Sequence, residues 1–440
     1  MQHELYNQAV ADPTLIACPH CDLLQRLPNL TAAASAQCPR CNHELWRRRE
    51  DSLNRTMALA TAAAALYVVA NTVPMLGLTV VGREASTTVI GGALHLWQNG
   101  QLAVAILVLF TAVIAPGLQI VAMLAIVLGA HRQSIARWVG TLLRHHAITQ
   151  TWSMVEVMIL GVLVALVKIA DYATVIPGTA LFVLGALIVL LAAMQASFEP
   201  REIWERTEWA SPLEGGTAVP PTSTEGILLS GTGLTGMQHA LQRCEVCGLL
   251  SRPVSEEEGK CPRCGETCEF RKRASNERAW AFLIAAAVCY IPANVLPVLT
   301  TTTAAGTESD TILQGVVLLW SPTGWPLSLI VLVASIMIPS AKIVTLGYLL
   351  IAVRRGSVAN NEQRSRLYRT VDFIGRWSMV DVFVDTFTAA LVQLQPLMSV
   401  EPGPGLVFFA AVVVLTMLAV ESFDPRLIWD AASTTEARYA

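Results

Sequence analysis

Eight apolar blocks alternate with polar segments along the 440-residue chain, four in each half. The blocks cover residues 57–74, 102–130, 153–170, 178–198, 279–299, 326–353, 379–397 and 405–420. A helix needs about 20 residues to cross the hydrocarbon core of a bilayer, so the pattern predicts about eight transmembrane helices. The second and sixth blocks are longer and contain Pro116 and Pro339, which favours a tilt or a kink.

The second half of the chain repeats the first with an offset of 223 to 225 residues. The matched segments are 38–41 with 261–264, 71–74 with 294–297, 152–157 with 377–382, and 197–201 with 422–426. This many collinear matches indicates a tandem duplication. Because each half holds four predicted spans, an even number, both halves share one orientation as parallel repeats.

Composition agrees with a membrane protein, since 53% of the residues are hydrophobic and only 14% are charged, against about 25% in a soluble domain. Lys and Arg concentrate on one side of the predicted topology, whereas the other side has Arg83 and almost no other basic residue. The positive-inside rule therefore places both termini, the Cys-rich segments and the long loops between second and third spans in the cytoplasm. Residues 1–17 are polar and lack the apolar core of a signal peptide, which agrees with this orientation.

These patterns predict an all-α polytopic membrane protein of two tandem parallel repeats, each a small four-Cys ribbon plus four transmembrane helices. The predicted parts are an N-terminal ribbon (1–55), a first four-helix repeat (56–204), a flexible linker rich in Gly, Ser, Thr, Pro and Glu (205–240), a second ribbon (241–275), a second four-helix repeat (276–430) and a C-terminal tail (431–440). Both ribbons are expected in the cytoplasm.

Eight of the ten cysteines form four Cys-x-x-Cys pairs, two at the start of each half. The pairs are Cys18 with Cys21, Cys38 with Cys41, Cys244 with Cys247, and Cys261 with Cys264. Each pair makes a tight knuckle that directs two thiolates at one ion, and two knuckles complete a tetrahedral S4 site. Soft thiolate ligands select zinc or iron. We predict one Zn2+ per ribbon, with rubredoxin-like iron as the alternative and free thiols or disulfides as the third.

A fully coordinated S4 site has no open position for catalysis, so the ribbons are interpreted as structural domains that fold around a metal. Arg40 and Arg263 lie inside the knuckles, and we expect them to dock onto the loops or the neighbouring half. The two remaining cysteines, Cys268 and Cys289, are interpreted as filler rather than ligands.

The chain has no P-loop, no His-Glu-x-x-His and no Gly-x-Ser-x-Gly, so we do not expect an enzyme. No feature indicates a nucleic-acid partner. The basic loop after the second span carries three histidines that we expect to be solvated: His131, His145 and His146. Asn71 and Asn294 are interpreted as part of the caps that end the first span of each half.

Six ionisable residues fall within predicted spans, where a charge is costly and is a functional hypothesis by default. They are Lys168, Asp171, Glu156, Asp381, Asp385 and Lys342. Lys168 and Asp171 can pair on one helix face, or can snorkel to the outer interface. Glu156 and Asp381 occupy equivalent repeat positions, and their alternative role is that of interfacial residues near a helix start.

Two of the six residues break the repeat. Lys168 corresponds to Gln393, and Lys342, which apolar residues flank on both sides, corresponds to Gln119. Such asymmetry indicates that the halves have specialised, as an asymmetric pathway or carrier requires.

Two ribbons, each followed by four spans, with repeated Trp-Ser-Met-Val-[Glu/Asp]-Val and Ser-Phe-[Glu/Asp]-Pro-Arg motifs, resemble the paraquat-inducible protein A family of PqiA-like and LetA-like proteins. The resemblance runs from about Cys18 to Trp429. It implies a bacterial inner-membrane protein that works with a periplasmic MCE-domain tunnel protein (PqiB-like or LetB-like), moves phospholipids between the inner and outer membranes, and supports envelope integrity. It also implies zinc at the eight paired cysteines. The residues it places at a transmembrane lipid pocket are Lys168 and Asp171, with Glu156, Asp381 and Asp385 as weaker candidates.

The leading hypothesis is therefore a lipid transporter subunit without its own nucleotide site, either passive or ion-coupled. In a second hypothesis, iron in the ribbons makes the chain a redox or electron-transfer membrane protein. In a third, the chain is a structural membrane anchor that only docks a partner. Metal analysis separates the first two, and lipid co-purified inside the helical bundle counts against the third.

Overall fold

The computed structural model describes residues 7–10, 12, 14–28, 34–74, 76–80, 83–98, 102, 105–106, 109–132, 135–152, 174–210, 234–254, 259–303, 306–318, 320, 325–375, 393–394 and 398–430. The α-helices among them are α1 (Ser52–Thr72), α2 (Val89–Gln98), α3 (Ala115–Ala130), α4 (Arg137–Trp152), α5 (Thr179–Ser197), α6 (Pro200–Arg206), α7 (Ser275–Val295), α8 (Ile312–Leu318), α9 (Trp325–Val331), α10 (Ile338–Arg354), α11 (Asn361–Gly375) and α12 (Pro404–Ser422).

The strands in the same residues are short and antiparallel to their partners. They are β1 (Gln8–Ala9), β2 (Leu15–Ala17), β3 (Leu24–Arg26), β4 (Ser35–Gln37), β5 (Glu44–Arg47), β6 (Leu76–Val80), β7 (Arg83–Thr87), β8 (Thr174–Pro177), β9 (Gln242–Arg243), β10 (Leu250–Arg252), β11 (Gly259–Lys260), β12 (Thr267–Cys268), β13 (Leu299–Thr303), β14 (Gly306–Asp310), β15 (Gln393–Leu394) and β16 (Met398–Pro402).

Six of the described helical segments are long and apolar enough to cross a membrane. They cover Ser52–Thr72, Ala112–Ala130, Thr179–Ser197, Ser275–Val295, Leu332–Arg354 and Pro404–Ser422. These segments confirm six of the predicted spans and a multi-pass membrane protein. The predicted third spans, 153–170 and 379–397, lie outside the described residues except at 393–394, which form β15 rather than the end of a helix.

Pro116 and Pro339 each follow a π-helical turn, which runs directly into α3 or α10. Proline has no N–H, so a carbonyl about one turn earlier loses its helical partner. Tyr67 on the first span donates its hydroxyl to the Val113 carbonyl oxygen at 2.6 Å. Tyr290 donates to the equivalent carbonyl of the second half at 3.2 Å. A π-helical turn therefore precedes each of these prolines, and a tyrosine hydroxyl donates a hydrogen bond to one of its carbonyls.

The first and fourth spans of each half pack against each other, α1 on α5 and α7 on α12, in the two most extensive helix contacts of the described chain. Small buried side chains recur every seven positions on the first spans. They are Thr56, Ala63 and Ala70 on α1, and Ala279, Ala286 and Ala293 on α7. Small residues let helix backbones approach closely within a membrane. One buried apolar cluster joins these helices across both halves, so the repeats share a core.

Strands also form a small sheet in each half, which the all-α prediction missed. The strand orders are β7–β6–β8 and β14–β13–β16–β15. In the first half β6 follows α1 and β8 precedes α5, so this sheet lies at the ends of these helices remote from the ribbon. The Leu-Thr-Thr-Thr-Thr sequence of β13 favours a strand because β-branched side chains suit a pleated surface, yet it lacks an apolar alternation that would have revealed it.

The long loops predicted between second and third spans contain helices α4 and α11. On α11 the buried residues recur at spacings of three and four, so one face packs inward and the other is exposed. They are Asn361, Arg364, Ser365, Tyr368, Val371 and Gly375. The high polar content of these segments concealed their helical period.

The histidines on this part of the first half are not all solvated. His146 on α4 is only 5% exposed, so that expectation is wrong for it, and burial lowers the pKa of its imidazole. His145 is exposed, as expected. His131 is also exposed, and one ring nitrogen lies 3.0 Å from Asn54 Oδ1.

Gly403, just before α12, touches the backbone of the chain that follows α7. Its N–H donates to the Val298 carbonyl oxygen at 2.7 Å, and an added Cβ would collide with the Pro297 carbonyl. We therefore expect Gly403→Ala to destabilise the protein by about 1–3 kcal/mol, as overpacked sites do. Thermal unfolding of the detergent-solubilised protein measures the loss.

Gly315 on α8 is the matched control, because an added Cβ there meets nothing within 4 Å. Gly315→Ala should be neutral or stabilising by up to about 1 kcal/mol through helix propensity. Equal unfolding temperatures for the two variants would contradict the close approach at Gly403.

Candidate metal centres and buried charges

The first ribbon brings four cysteines together at the turns of two hairpins, β2–β3 and β4–β5. Sγ–Sγ distances are 3.5 Å between Cys18 and Cys41 and 3.5 Å between Cys21 and Cys38. All four cysteines are fully buried. Each knuckle ends in a residue with left-handed backbone, of which Asn42, with φ of 56°, donates its N–H to the Cys38 carbonyl at 2.8 Å.

The second ribbon repeats this geometry with β9–β10 and β11–β12. Sγ–Sγ distances are 3.4 Å between Cys244 and Cys264 and 3.5 Å between Cys247 and Cys261. Glycines take the left-handed positions here, with φ of 72° at Gly248 and 76° at Gly265, because glycine adopts that conformation without a Cβ penalty.

Both cysteine groups fit one tetrahedral metal ion each. Within each group the four sulfurs all lie within 4.8 Å of one another. Corners of a tetrahedral site with Zn–S bonds of about 2.3 Å are about 3.8 Å apart. Cys268 and Cys289 belong to neither group.

Each ribbon is completed by the chain segment that precedes the other ribbon. β1, which lies before the two cysteine hairpins of the first ribbon, pairs with β10 of the second ribbon. In return, the Leu24 N–H on β3 of the first ribbon donates to the Leu234 carbonyl at 3.0 Å, just before the second ribbon. Asn7 also donates its N–H to the Lys260 carbonyl at 2.9 Å. The two metal centres thus share one interlocked unit.

Arginines inside the knuckles dock on tryptophans of the opposite half, which confirms the expectation for them. The Arg40 guanidinium lies 4.6 Å from the ring centroid of Trp429 in the second half. The Arg263 guanidinium lies 5.6 Å from that of Trp209, at the end of the first half. The buried clusters agree, since the first ribbon's cysteines pack with α7, α10, α11 and α12, and Cys247 and Cys264 pack with α3, α4 and α6.

A buried ion pair follows the last span. Asp424 and Arg426 come from the repeated Ser-Phe-Asp-Pro-Arg motif, and their side chains are 1% and 6% exposed. Arg426 donates to Asp424 at 2.7 Å and 2.8 Å, and to Glu245 of the second ribbon at 2.9 Å. Burial raises the pKa of Asp424, but the Arg426 guanidinium outweighs burial and the net pKa lies below its ordinary value.

In the first half the arginine of the same motif is partly exposed. Arg201 there bonds to Glu205 at 2.8 Å and lies 5.0 Å from the ring centroid of Trp46, with 28% of its side chain exposed. In the sequence the motif is visible only as a match between the two repeats. The second copy of the motif forms a buried junction between the helices and the second ribbon. The first copy does not, and the two differ in how far their arginine side chains are exposed.

A second junction joins three distant segments. Arg271 of the second ribbon donates to Asp22 of the first ribbon at 3.0 Å and to Asp430, beyond the last span, at 2.6 Å. Burial raises the pKa of Asp22 despite this partner. The ribbons and the C-terminal end of the second half are therefore tied by charge as well as by backbone pairing.

Lys342 lies within the apolar segment Leu332–Arg354 and is only 3% exposed. Its Nζ donates to the carbonyl oxygen of Gly375 on α11 at 2.9 Å. The repeat counterpart Gln119 is 1% exposed, and neither Oε1 nor Nε2 of its amide has a hydrogen-bond partner among the described residues. The other candidates within spans lie outside the described residues: Lys168, Asp171, Glu156, Asp381 and Asp385.

Comparison with known proteins identifies relatives over nearly the full length. The chain is 30% identical over 430 residues to "Intermembrane transport protein PqiA" of Escherichia coli (strain K12), covering 96% of this chain and 97% of that protein. It is 31% identical over 422 residues to "Lipophilic envelope-spanning tunnel protein A" of the same strain, covering 96% and 92%. A "Probable intermembrane transport protein" of Haemophilus influenzae is 26% identical over 427 residues, covering 94% and 95%.

No solved structure matches the chain. The family model described as "Paraquat-inducible protein A" matches it twice, at residues 53–208 and 276–433. The two matches fall on the two helical halves and cover more than half of the chain. On these grounds the protein belongs to the paraquat-inducible protein A family.

Proposed function

We propose that this protein is an inner-membrane lipid transporter subunit that works with a periplasmic MCE-domain tunnel protein. It moves phospholipids between the inner and outer membranes and so supports envelope integrity. The observation that carries the proposal is the near full-length similarity to proteins named for intermembrane transport and for an envelope-spanning tunnel. Since those relatives are named as transport proteins, we propose no catalytic activity.

The membrane architecture supports transport rather than simple anchoring. An anchor needs only apolar helices, whereas this bundle buries the Lys342 ammonium within a span, where a charge is costly. We propose that Lys342, Lys168 and Asp171 contribute to a polar pathway for a lipid headgroup or a proton. We assign three further residues to the same pathway: Glu156, Asp381 and Asp385.

We propose that each ribbon holds one Zn2+ and that both ribbons and both termini lie in the cytoplasm. The basic residues concentrated at the ribbon side of the spans support this orientation. The domain limits proposed from the sequence remain 1–55, 56–204, 205–240, 241–275, 276–430 and 431–440.

Neutralising the pathway candidates tests the function. We expect Lys168→Gln and Asp171→Asn to increase sensitivity of the cell envelope to detergent and to reduce lipid photo-crosslinking to the bundle about tenfold. Loss of one charge-assisted hydrogen bond to a headgroup costs about 1.5–3 kcal/mol. Lys168→Gln is informative because Gln393 already occupies the equivalent position of the second half.

The control is Arg355→Gln, which removes an exposed charge outside the membrane-spanning segments. It should behave as wild type in both assays at equal protein levels. Wild-type sensitivity and crosslinking in Lys168→Gln and Asp171→Asn would remove both residues from the pathway.

A further inference from the structure

Arginines at equivalent repeat positions connect each ribbon to a helix of the opposite half. Arg369 on α11 donates to the carbonyl oxygens of Cys41 at 2.9 Å and Asn42 at 3.1 Å, in the first ribbon. Its counterpart at an offset of 225 is Arg144 on α4, which donates to Glu266 Oε2 of the second ribbon at 3.1 Å. Each half therefore has an arginine that contacts the ribbon of the other half.

The two carbonyls that Arg369 binds belong to a metal knuckle. Cys41 is one of the four candidate ligands, and the next residue, Asn42, closes the knuckle through its N–H bond to Cys38. Small metal ribbons fold only when the ion holds their knuckles. A ribbon that unfolded without its ion would lose the direction of both carbonyls, and with it the Arg369 contact.

More contacts hold α11 against this ribbon. Glu362 accepts a hydrogen bond from the Asn42 amide at 3.1 Å. The ring centroids of Tyr368 and His20 are 6.0 Å apart. Trp429, which covers Arg40 of the knuckle, donates its indole N–H to Ser365 at 2.8 Å. The ribbon thus faces α11 along more than one turn.

The other end of α11 meets the buried lysine. Gly375 is the last residue of α11 that the structure describes, and its carbonyl accepts a hydrogen bond from the Lys342 Nζ at 2.9 Å. Arg369 lies six residues before Gly375, about 9 Å along the helix at 1.5 Å per residue. One short rigid helix therefore connects the metal knuckle to a charge inside the membrane segment.

We propose that the first ribbon is a metal-dependent clamp that fixes α11 through Arg369 and, through Gly375, the position of the Lys342 ammonium. The second ribbon holds α4 of the first half through a side-chain ion pair instead, between Arg144 and Glu266. A fully coordinated S4 site, which has no open position for catalysis, thereby fixes the position of a helix in the opposite repeat. The clamp does not depend on what the protein transports.

Hydrogen exchange of the full-length protein in detergent tests the clamp. In Arg369→Ala, amides of 361–375 should exchange about tenfold faster, because two charge-assisted hydrogen bonds are lost. Arg144→Ala is the matched control and should accelerate 137–152 while leaving 361–375 unchanged. Removing metal from the wild type with a chelator should accelerate both helices, and adding Zn2+ back should restore them.

Metal removal should accelerate 361–375 less in Arg369→Ala than in the wild type, since the two arginine hydrogen bonds are already lost. Unchanged exchange of 361–375 in metal-free wild type would overturn the proposal. So would loss of metal from Arg369→Ala, because the arginine would then support the knuckle rather than transmit its state.

Lys342→Met tests the link to the membrane without touching ribbon or Arg369. It should accelerate exchange only in the last described turn of α11, where the Gly375 carbonyl has lost its hydrogen bond from Lys342. Unchanged exchange in that turn would remove Lys342 from the proposal.

Discussion

In Cys38→Ser, metal content is expected to fall from two ions per chain to at most one, with the first ribbon unfolding. Cys38 is fully buried and its sulfur lies 3.5 Å from that of Cys21. A serine hydroxyl at this position is a poor substitute for a thiolate that binds a soft metal. Because metal binding supplies about 10–16 kcal/mol of folding free energy in small zinc domains, loss of one ligand has a large effect.

Elemental analysis of the purified protein measures this loss and identifies the metal. Zinc without visible absorbance supports the structural interpretation, whereas iron with absorbance supports the redox hypothesis. Cys289→Ala is the control, because Cys289 lies on α7 and belongs to neither cysteine group. If Cys38→Ser retained two ions per chain, the proposed ligand set would be wrong.

Arg426→Ala is expected to destabilise the protein by about 3–5 kcal/mol, the usual effect of leaving a buried charge without its partner. Asp424 would remain as a carboxylate with 1% exposure. Its only described charged neighbour at bonding distance is Arg426, and the Lys272 N–H at 3.1 Å cannot replace a guanidinium. Thermal unfolding measures the effect, with Arg426→Ala/Asp424→Asn as partial rescue.

The first half provides the control for this substitution. Arg201→Ala removes the equivalent arginine, whose ion pair with Glu205 is partly exposed. Pairs of that kind contribute about 0–1 kcal/mol, so the loss should be small. Equal losses in the two variants would mean that Asp424 is not the buried charge the structure shows.

The contribution of Asp424 to the stability of the protein changes with pH in a definite direction. Because the pKa of Asp424 is lower in the folded protein than its ordinary value, its ionised form contributes stability above the unfolded pKa. This contribution is lost as the pH falls through the folded pKa. Without Arg426, burial raises the pKa of Asp424, so the destabilisation of Arg426→Ala should shrink as the pH falls and the carboxyl takes up a proton.

The sequence predicted the features whose signal is local. Eight cysteines at fixed spacing gave the two metal groups, and blocks of apolar residues gave six confirmed spans. The small sheets were missed because Thr-rich strands lack apolar alternation. Helices α4 and α11 were interpreted as loops because their polar residues outweigh the apolar face.

Long-range features had no signal in a single sequence. Nothing in the Cys-x-x-Cys spacing shows that Arg40 stacks on Trp429 or that Arg369 binds the knuckle of a ribbon more than 300 residues away. The partner of Lys342 is a backbone carbonyl, which every residue has, so no residue type marks it. The repeat alignment nevertheless identified the position, since Lys342 breaks the symmetry with Gln119.

The strand exchange between the ribbons has a consequence for biosynthesis. Leu234 is made 210 residues after its hydrogen-bond partner Leu24. At about 5–20 residues per second, the ribosome needs about 10–40 s to supply it. During that interval the nascent first ribbon exposes an unpaired strand edge, a surface prone to wrong pairing. The backbone pairing of the first ribbon can therefore be complete only after Leu234 has left the ribosome.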